Sequence, residues 1–134
     1  MSANPSEERR VQNIDEKLLL DWGARIGAAA RGEGVRPAQL ENLIASLDAV
    51  QGREALLATA AFSLRQAQRL GTGRTTARLV SQALLELYEK GGGKDEARKM
   101  LGFAKWVYEA SPGFRGRPEQ LTLESLLKQL AGGR

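Results

Sequence analysis

Apolar residues recur at every third or fourth position along most of this chain, which is the spacing of side chains on one face of an α-helix. The clearest case is the segment with Leu40, Leu43, Ile44, Leu47 and Val50, whose members are three, one, three and three positions apart. Six segments of this kind follow one another, separated by glycine or proline. No stretch of useful length alternates between apolar and polar residues, as a half-buried strand would. The pattern therefore predicts an all-α fold.

Glycines, prolines and N-cap residues set the expected ends of these helices. Pro37 stands where proline is favoured, at the first helical position. Asn13 and Thr122 are predicted N-caps, because a short polar side chain there accepts a hydrogen bond from a free backbone amide. We predict a single-domain bundle of five or six helices over residues 13–134, after a disordered polar tail at residues 1–12. The helices are expected at residues 14–31, 37–50, 53–70, 75–90, 95–110 and from 122 to the glycines at 132 and 133.

Two expectations concern the helix faces that form the core. The third helix is rich in alanine and leucine, and the residues expected on its inner side are Leu56, Leu57, Ala60, Ala61 and Leu64. Trp22 and Trp106 are both expected in the core, since aromatic side chains bury much apolar area. An exposed pair of Phe103 and Trp106 that meets a partner subunit stays open as an alternative.

The chain contains neither cysteine nor histidine, which excludes several classes of function. Disulfides are impossible, zinc and transition-metal sites lose their usual ligands, and nucleophilic triads lose their usual base. Neighbouring carboxylates such as Asp95 and Glu96 stand at helix starts, where the helix dipole favours them without a catalytic role. We therefore predict that the protein is not an enzyme and uses no cofactor or metal.

The chain also lacks the sequence features of a membrane or exported protein. No segment approaches the roughly 20 consecutive apolar residues of a membrane span. Residues 1–12 are polar and charged, without the apolar core of a signal peptide. We expect a soluble, cytoplasmic protein with no membrane partner.

Positive charge is concentrated in the middle of the chain, where residues 53–78 hold five arginines and one acid. Clustered arginine favours phosphate partners, because a guanidinium binds phosphate through two parallel hydrogen bonds. A solvated helix face without a partner explains the charge equally well. The candidate nucleic-acid-binding residues are Arg53, Arg65, Arg69, Arg74 and Arg78, with Arg98, Lys99 and Lys105 as a second group.

A loop with two glycines, at residues 71–76, precedes the fourth predicted helix. Backbone amides at a helix start can hold a phosphate group. The loop lacks the lysine and the spacing of a nucleotide-binding P-loop, and it follows a helix instead of a strand. We expect contact with a nucleic-acid backbone here, between Arg74 and Arg78, and no nucleotide hydrolysis.

Three segments carry a family resemblance: residues 35–43 (VRPAQLENL), residues 56–74, which end in glycine and arginine, and residues 102–110 (GFAKWVYEA). In this order they resemble the small helical subunit of type III-A CRISPR RNA-guided effector complexes, the Csm class. The analogous small subunit of another CRISPR class is an alternative. The three glycines at 91–93 and the helix after Pro118 depart from the family pattern.

The resemblance implies a non-catalytic subunit. Several copies would stack along the effector filament, beside the larger subunits that hold the guide RNA. Their basic faces would contact the RNA target strand or the guide–target duplex through its backbone, without sequence preference and with strong salt dependence.

Two other functions remain open from the residues alone. A helical protein–protein adaptor without nucleic-acid binding would use the Ala and Leu faces to pair with partner helices. A helix-turn-helix DNA-binding regulator would use the segment from Gly34 to Val50, with Arg36, Gln39, Glu41 and Asn42 as its polar residues. Few other cations lie there, so this interpretation ranks last.

Overall fold

The computed structural model describes residues 14–111 and 116–132, and in these ranges it has six α-helices, a short 3₁₀-helix and no strand. The helices are α1 (Glu16–Gly32), α2 (Pro37–Ser46), α3 (Ala55–Leu70), α4 (Arg74–Glu89), α5 (Lys94–Ala110) and α6 (Leu123–Ala131), with the 3₁₀-helix (Pro118–Gln120) before α6. The prediction of an all-α bundle of five or six helices is confirmed. The predicted tail at residues 1–12 and the predicted cap Asn13 lie outside the described residues.

Local hydrogen bonds explain where the helices begin. Asp15 caps α1, since its carboxylate accepts a hydrogen bond of 2.9 Å from the amide of Leu18. At α6, the hydroxyl of Thr122 accepts a hydrogen bond from the amide of Ser125 at 3.1 Å, so the predicted cap at Thr122 is confirmed.

Helix α2 is shorter than predicted, because it ends at Ser46 and not near Val50. The amides of Leu47, Asp48 and Ala49 each donate to the carbonyl three residues earlier, which tightens the chain into turns. Leu47 is nevertheless fully buried. The apolar periodicity continues past the end of the helix because Leu47, a residue of the turn, also packs into the core. This is why the predicted helix is too long.

The centre of the bundle is a close contact between α1 and α5. The two helices run in the same direction, with Gly23 beside Phe103 and Gly27 beside Val107. A Cβ atom on Gly23 would lie 2.8 Å from Cβ of Phe103, and one on Gly27 would lie 2.8 Å from Cβ of Val107. Both separations are shorter than van der Waals contact, so the helix backbones approach to a distance that only glycine allows.

The main core surrounds this contact. Its largest fully buried side chains are Ile26, Leu47, Leu56, Leu79, Leu84, Leu87 and Met100. A smaller cluster lies beneath α6, where Leu126 packs with Ala24, Ala28, Val107 and Leu121. Leucine and alanine dominate both clusters, as the composition predicts.

The inner face of α3 differs from the prediction. Leu56 and Ala60 are buried as expected, but Leu57, Ala61 and Leu64 are exposed. The rest of the inner face consists of small residues, Thr59, Ser63 and Ala67. Hydrogen bonds satisfy the two buried hydroxyls, since Ser63 donates to the carbonyl of Ala60 at 2.8 Å and Thr59 lies 2.8 Å from the hydroxyl of Ser46.

The two tryptophans have different environments. Trp22 is buried, and its indole N–H donates to Glu86 at 2.8 Å. Trp106 is 68% exposed, so the expectation that it lies in the core is wrong. Its ring lies 5.7 Å from the ring of Phe103, which corresponds to the exposed aromatic pair left open as an alternative.

In the two described ranges, 14–111 and 116–132, no helix has both the length and the apolar character needed to cross a bilayer.

The α1–α5 contact makes a prediction about stability. Gly27→Ala forces a methyl group against the α5 backbone, so we expect it to lower the free energy of unfolding by roughly 1–3 kcal/mol. Urea unfolding followed by circular dichroism measures this change.

Gly102→Ala is the matched control, because Gly102 is also helical but a Cβ there meets nothing within 4 Å. Alanine should leave stability unchanged or raise it by up to about 1 kcal/mol, through its higher helix propensity. Equal losses from the two substitutions would contradict the close approach of α1 and α5.

Candidate nucleic-acid interface

The candidate nucleic-acid-binding cations predicted from the sequence fall into three groups according to what their side chains contact. The first group is part of the fold. Arg53 donates to the carbonyl of Gly92 at 2.9 Å and to the carbonyl of Tyr88, and its guanidinium lies 4.4 Å from the centre of the Tyr88 ring. These contacts hold the turn between α4 and α5 against the start of α3. We therefore assign Arg53 to the fold and not to an interface.

The second group is neutralised by acids from other elements. Arg98 pairs with Asp48 at 3.0 Å, and this pairing lowers the pKa of Asp48. The other pairs on α5 are Lys99 with Glu16 at 2.8 Å and Lys105 with Glu41 at 2.7 Å. Their acidic partners raise the pKa of both lysines through a hydrogen bond and through charge attraction.

Arg78 belongs to the same group, because it pairs with Glu119 at 3.0 Å. Exposed pairs of this kind contribute little to stability, but they cancel the local positive charge. Arg78, Arg98, Lys99 and Lys105 therefore add little net positive charge to the surface, because each lies beside an acid.

The third group has no such partner. Arg65, Arg69 and Arg74 are exposed, and within the described ranges they make no ion pair or side-chain hydrogen bond. Arg65 and Arg69 are one turn apart on α3, and Arg74 begins α4 after a three-residue loop.

Arg36 belongs with this third group, although from the sequence it is a candidate only as part of a helix-turn-helix. It is exposed and stands immediately before α2. The sequence signal was a cation directly before the N-terminal proline of α2. It could not be tied to α3, because its neighbour Arg69 is more than thirty positions away along the chain.

A cleft of about 530 Å³ lies between the start of α2 and the end of α3. These two helices form a hairpin that is closed by the Ser46–Thr59 contact near its turn, and the cleft occupies the opposite end. Its polar lining consists of Arg36, Gln39, Asn42, Gln66, Arg69 and Thr72. It contains two guanidinium groups and three carboxamides but no carboxylate, so it suits an anion that also accepts and donates hydrogen bonds.

The start of α4 is already occupied by a side chain. The carboxylate of Glu33 accepts hydrogen bonds from the amides of Thr75 at 3.0 Å and Thr76 at 2.8 Å, and from the Thr76 hydroxyl at 2.6 Å. The prediction that backbone amides here bind a phosphate is therefore wrong for these two amides. A carboxylate from the end of α1 replaces the expected anion.

No protein-family model, curated protein sequence or solved structure matches this chain.

Removing the carboxylate at the start of α4 should destabilise the fold. Glu33→Ala leaves two amides and a hydroxyl without their partner, so we expect a loss of about 1–2 kcal/mol in the free energy of unfolding. Chemical denaturation with urea measures it.

Glu89→Ala is the comparison, since Glu89 is exposed at the other end of α4. A change within about 0.5 kcal/mol is expected for it. If Glu33→Ala is equally mild, the carboxylate does not cap α4 in solution.

Proposed function

We propose that this chain is a non-catalytic, RNA-binding small subunit of a CRISPR RNA-guided effector complex. The observation that carries the proposal is a cleft without a carboxylate that is lined by the unpaired Arg36 and Arg69. Two more unpaired arginines stand close by in the chain, Arg65 one turn before Arg69 on α3 and Arg74 at the start of α4. Most of the other described cations near the surface are paired with acids or engaged in the fold. The resemblance of residues 35–110 to the type III-A small subunit supports the same role. We expect such a complex to lie in the cytoplasm.

The chemistry of this surface suits a nucleic-acid backbone. Guanidinium groups bind phosphates through paired hydrogen bonds, and their binding to a polyanion rests on release of counterions, without regard to base sequence. The carboxamides of Gln39, Asn42 and Gln66 can bond to sugar hydroxyls or base edges beside the phosphates. The proposed contact is therefore the target strand or the guide–target duplex.

A subunit of this kind also needs contacts with its neighbours. Leu57, Ala61 and Leu64 form an exposed apolar row on the outer face of α3, and Trp106 is exposed on α5. Tryptophan is enriched at protein interfaces, and contiguous exposed apolar patches mark interaction sites. They support contact with other effector subunits and with further copies of the chain.

The same apolar row favours the second candidate function, a protein–protein adaptor without nucleic acid. The helix-turn-helix alternative gains less, because α2 contains no lysine or arginine and its one acid, Glu41, is paired with Lys105. RNA binding decides between these functions.

The test compares two triple variants of equal charge by measuring binding to a single-stranded RNA across a salt series. Arg65→Gln, Arg69→Gln and Arg74→Gln together remove three unpaired cations. We expect this variant to lose most binding at low salt. Its slope of log affinity against log salt should fall by about 2, since each phosphate contact on a single strand contributes roughly 0.7.

The matched control combines Arg98→Gln, Lys99→Gln and Lys105→Gln, which change the net charge equally but remove paired cations. It should bind nearly as well as the wild-type chain. Equal losses in the two triple variants would mean that only overall charge matters. A folded wild-type chain that binds no RNA at low salt would favour the adaptor.

A further inference from the structure

A second surface, distant from the arginine cleft, lies where α6 crosses the N-terminal half of α1. The amide of Leu123 donates to Asp21 at 2.9 Å, and Arg25 donates to the carbonyl of Leu121 at 2.8 Å. These bonds fix the start of α6 on α1. The two helices leave a groove of about 750 Å³ between them, with Leu20, Leu123, Leu127 and Ala131 as its apolar walls.

Helix α6 is more apolar than its own contacts require. Leu126 is its one fully buried side chain among the described residues. Leu127 is 50% exposed and Leu130 is 41% exposed. Leu123, Leu127 and Leu130 are four and three positions apart, which is the spacing of a stripe that packs against another helix. The stripe and the groove together form an unfilled helix-packing surface.

The charges at the rim of this groove are balanced. Lys17 pairs with Asp21 at 2.6 Å on α1, and Lys128 pairs with Glu124 at 3.2 Å on α6. The rim thus has two cations and two anions, although the whole chain has a net charge of +4. Such a surface offers no attraction to nucleic acid and no preference for a strongly acidic partner. Two copies of this basic chain repel one another least where their surfaces are neutral and apolar.

The order of charges along α6 favours an antiparallel pair of α6 helices. Glu124 lies in the first turn and Lys128 in the last. A twofold axis level with residues 126 and 127 would place Glu124 of each copy beside Lys128 of the other and would bring the two leucine stripes together. Such an interface is self-complementary, as twofold symmetry requires.

We propose that the α1–α6 groove is the contact surface for a second copy of this chain, with the two α6 helices antiparallel about a twofold axis. Residues 1–13 are a poor alternative occupant, because their apolar side chains apart from proline are Met1, Ala3 and Val11. The surface is separated from the arginine cleft by most of the length of α1, about 20 Å at 1.5 Å per residue. The pairing therefore does not rest on RNA binding.

The first test is sedimentation equilibrium of the full chain at low salt, up to millimolar concentration. We expect a monomer–dimer equilibrium, and Leu127→Glu should weaken it at least tenfold, since it puts a charge in the apolar centre. Leu85→Glu is the matched control, because Leu85 is also an exposed leucine, at 45%, but lies on α4, and it should pair like the wild-type chain. A monomeric wild-type chain, or equal weakening by Leu85→Glu, would overturn the proposal.

The second test uses the rim charges and does not depend on how Leu127→Glu folds. Glu124→Lys alone and Lys128→Glu alone should each weaken self-pairing about tenfold, because each places like charges opposite one another at two positions. A mixture of the two single variants should form mixed dimers. One copy then has lysine at both 124 and 128, the other has glutamate at both, and opposite charges face one another across the interface. Failure of the mixture to pair better than either variant alone would show that the α6 helices are not antiparallel neighbours.

Discussion

The rest of this structure depends on the close contact between α1 and α5 at Gly23 and Gly27. Because α5 lies directly against the α1 backbone, Tyr108 at the end of α5 reaches the chain that leaves α1 and donates to the carbonyl of Val35 at 2.5 Å. That bond holds the connection between α1 and α2. On one side of it Glu33 caps α4, and on the other Arg36 borders the cleft. The close contact of these two glycines with α5 thus positions side chains that lie well outside it.

The distribution of charge follows from how the helices are tied together. Arg25 and Arg53 donate to backbone carbonyls of other elements. Three cations of α5 pair with acids on α1, on α2 and in the turn after α2. Together with the ion pairs of Lys17, Arg78, Lys90 and Lys128, these contacts engage nine of the sixteen lysines and arginines in the described ranges. The arginines at the α2–α3 end are different, because no acid lies in the cleft between those helices. Four arginines that make no ion pair within the described ranges, Arg36, Arg65, Arg69 and Arg74, therefore lie on neighbouring elements in this part of the bundle.

The two surfaces of interest lie at opposite ends of α1 and have opposite chemistry. The cleft near the end of α1 is polar and cationic, whereas the groove near its start is apolar with a balanced rim. A polyanion is attracted to the first and not to the second, since long-range attraction follows net charge. A copy that pairs through the groove leaves the cleft open. In an assembly, several such clefts would act on one strand, and weak single contacts would add up through multivalency.

The sequence by itself determined the helices and nearly all their ends, because apolar periodicity, prolines, glycines and caps act within a few residues. It left the inner face of α3 undecided: Leu56 with Ala60 and Leu57 with Ala61 have the same spacing, and only packing against α4 selects the first pair. The sequence also could not show which cations are paired with acids. Arg98 and Asp48 are 50 positions apart, and Lys99 and Glu16 are 83 apart. Only the tertiary structure brings such partners together, so only it could separate paired cations from free ones.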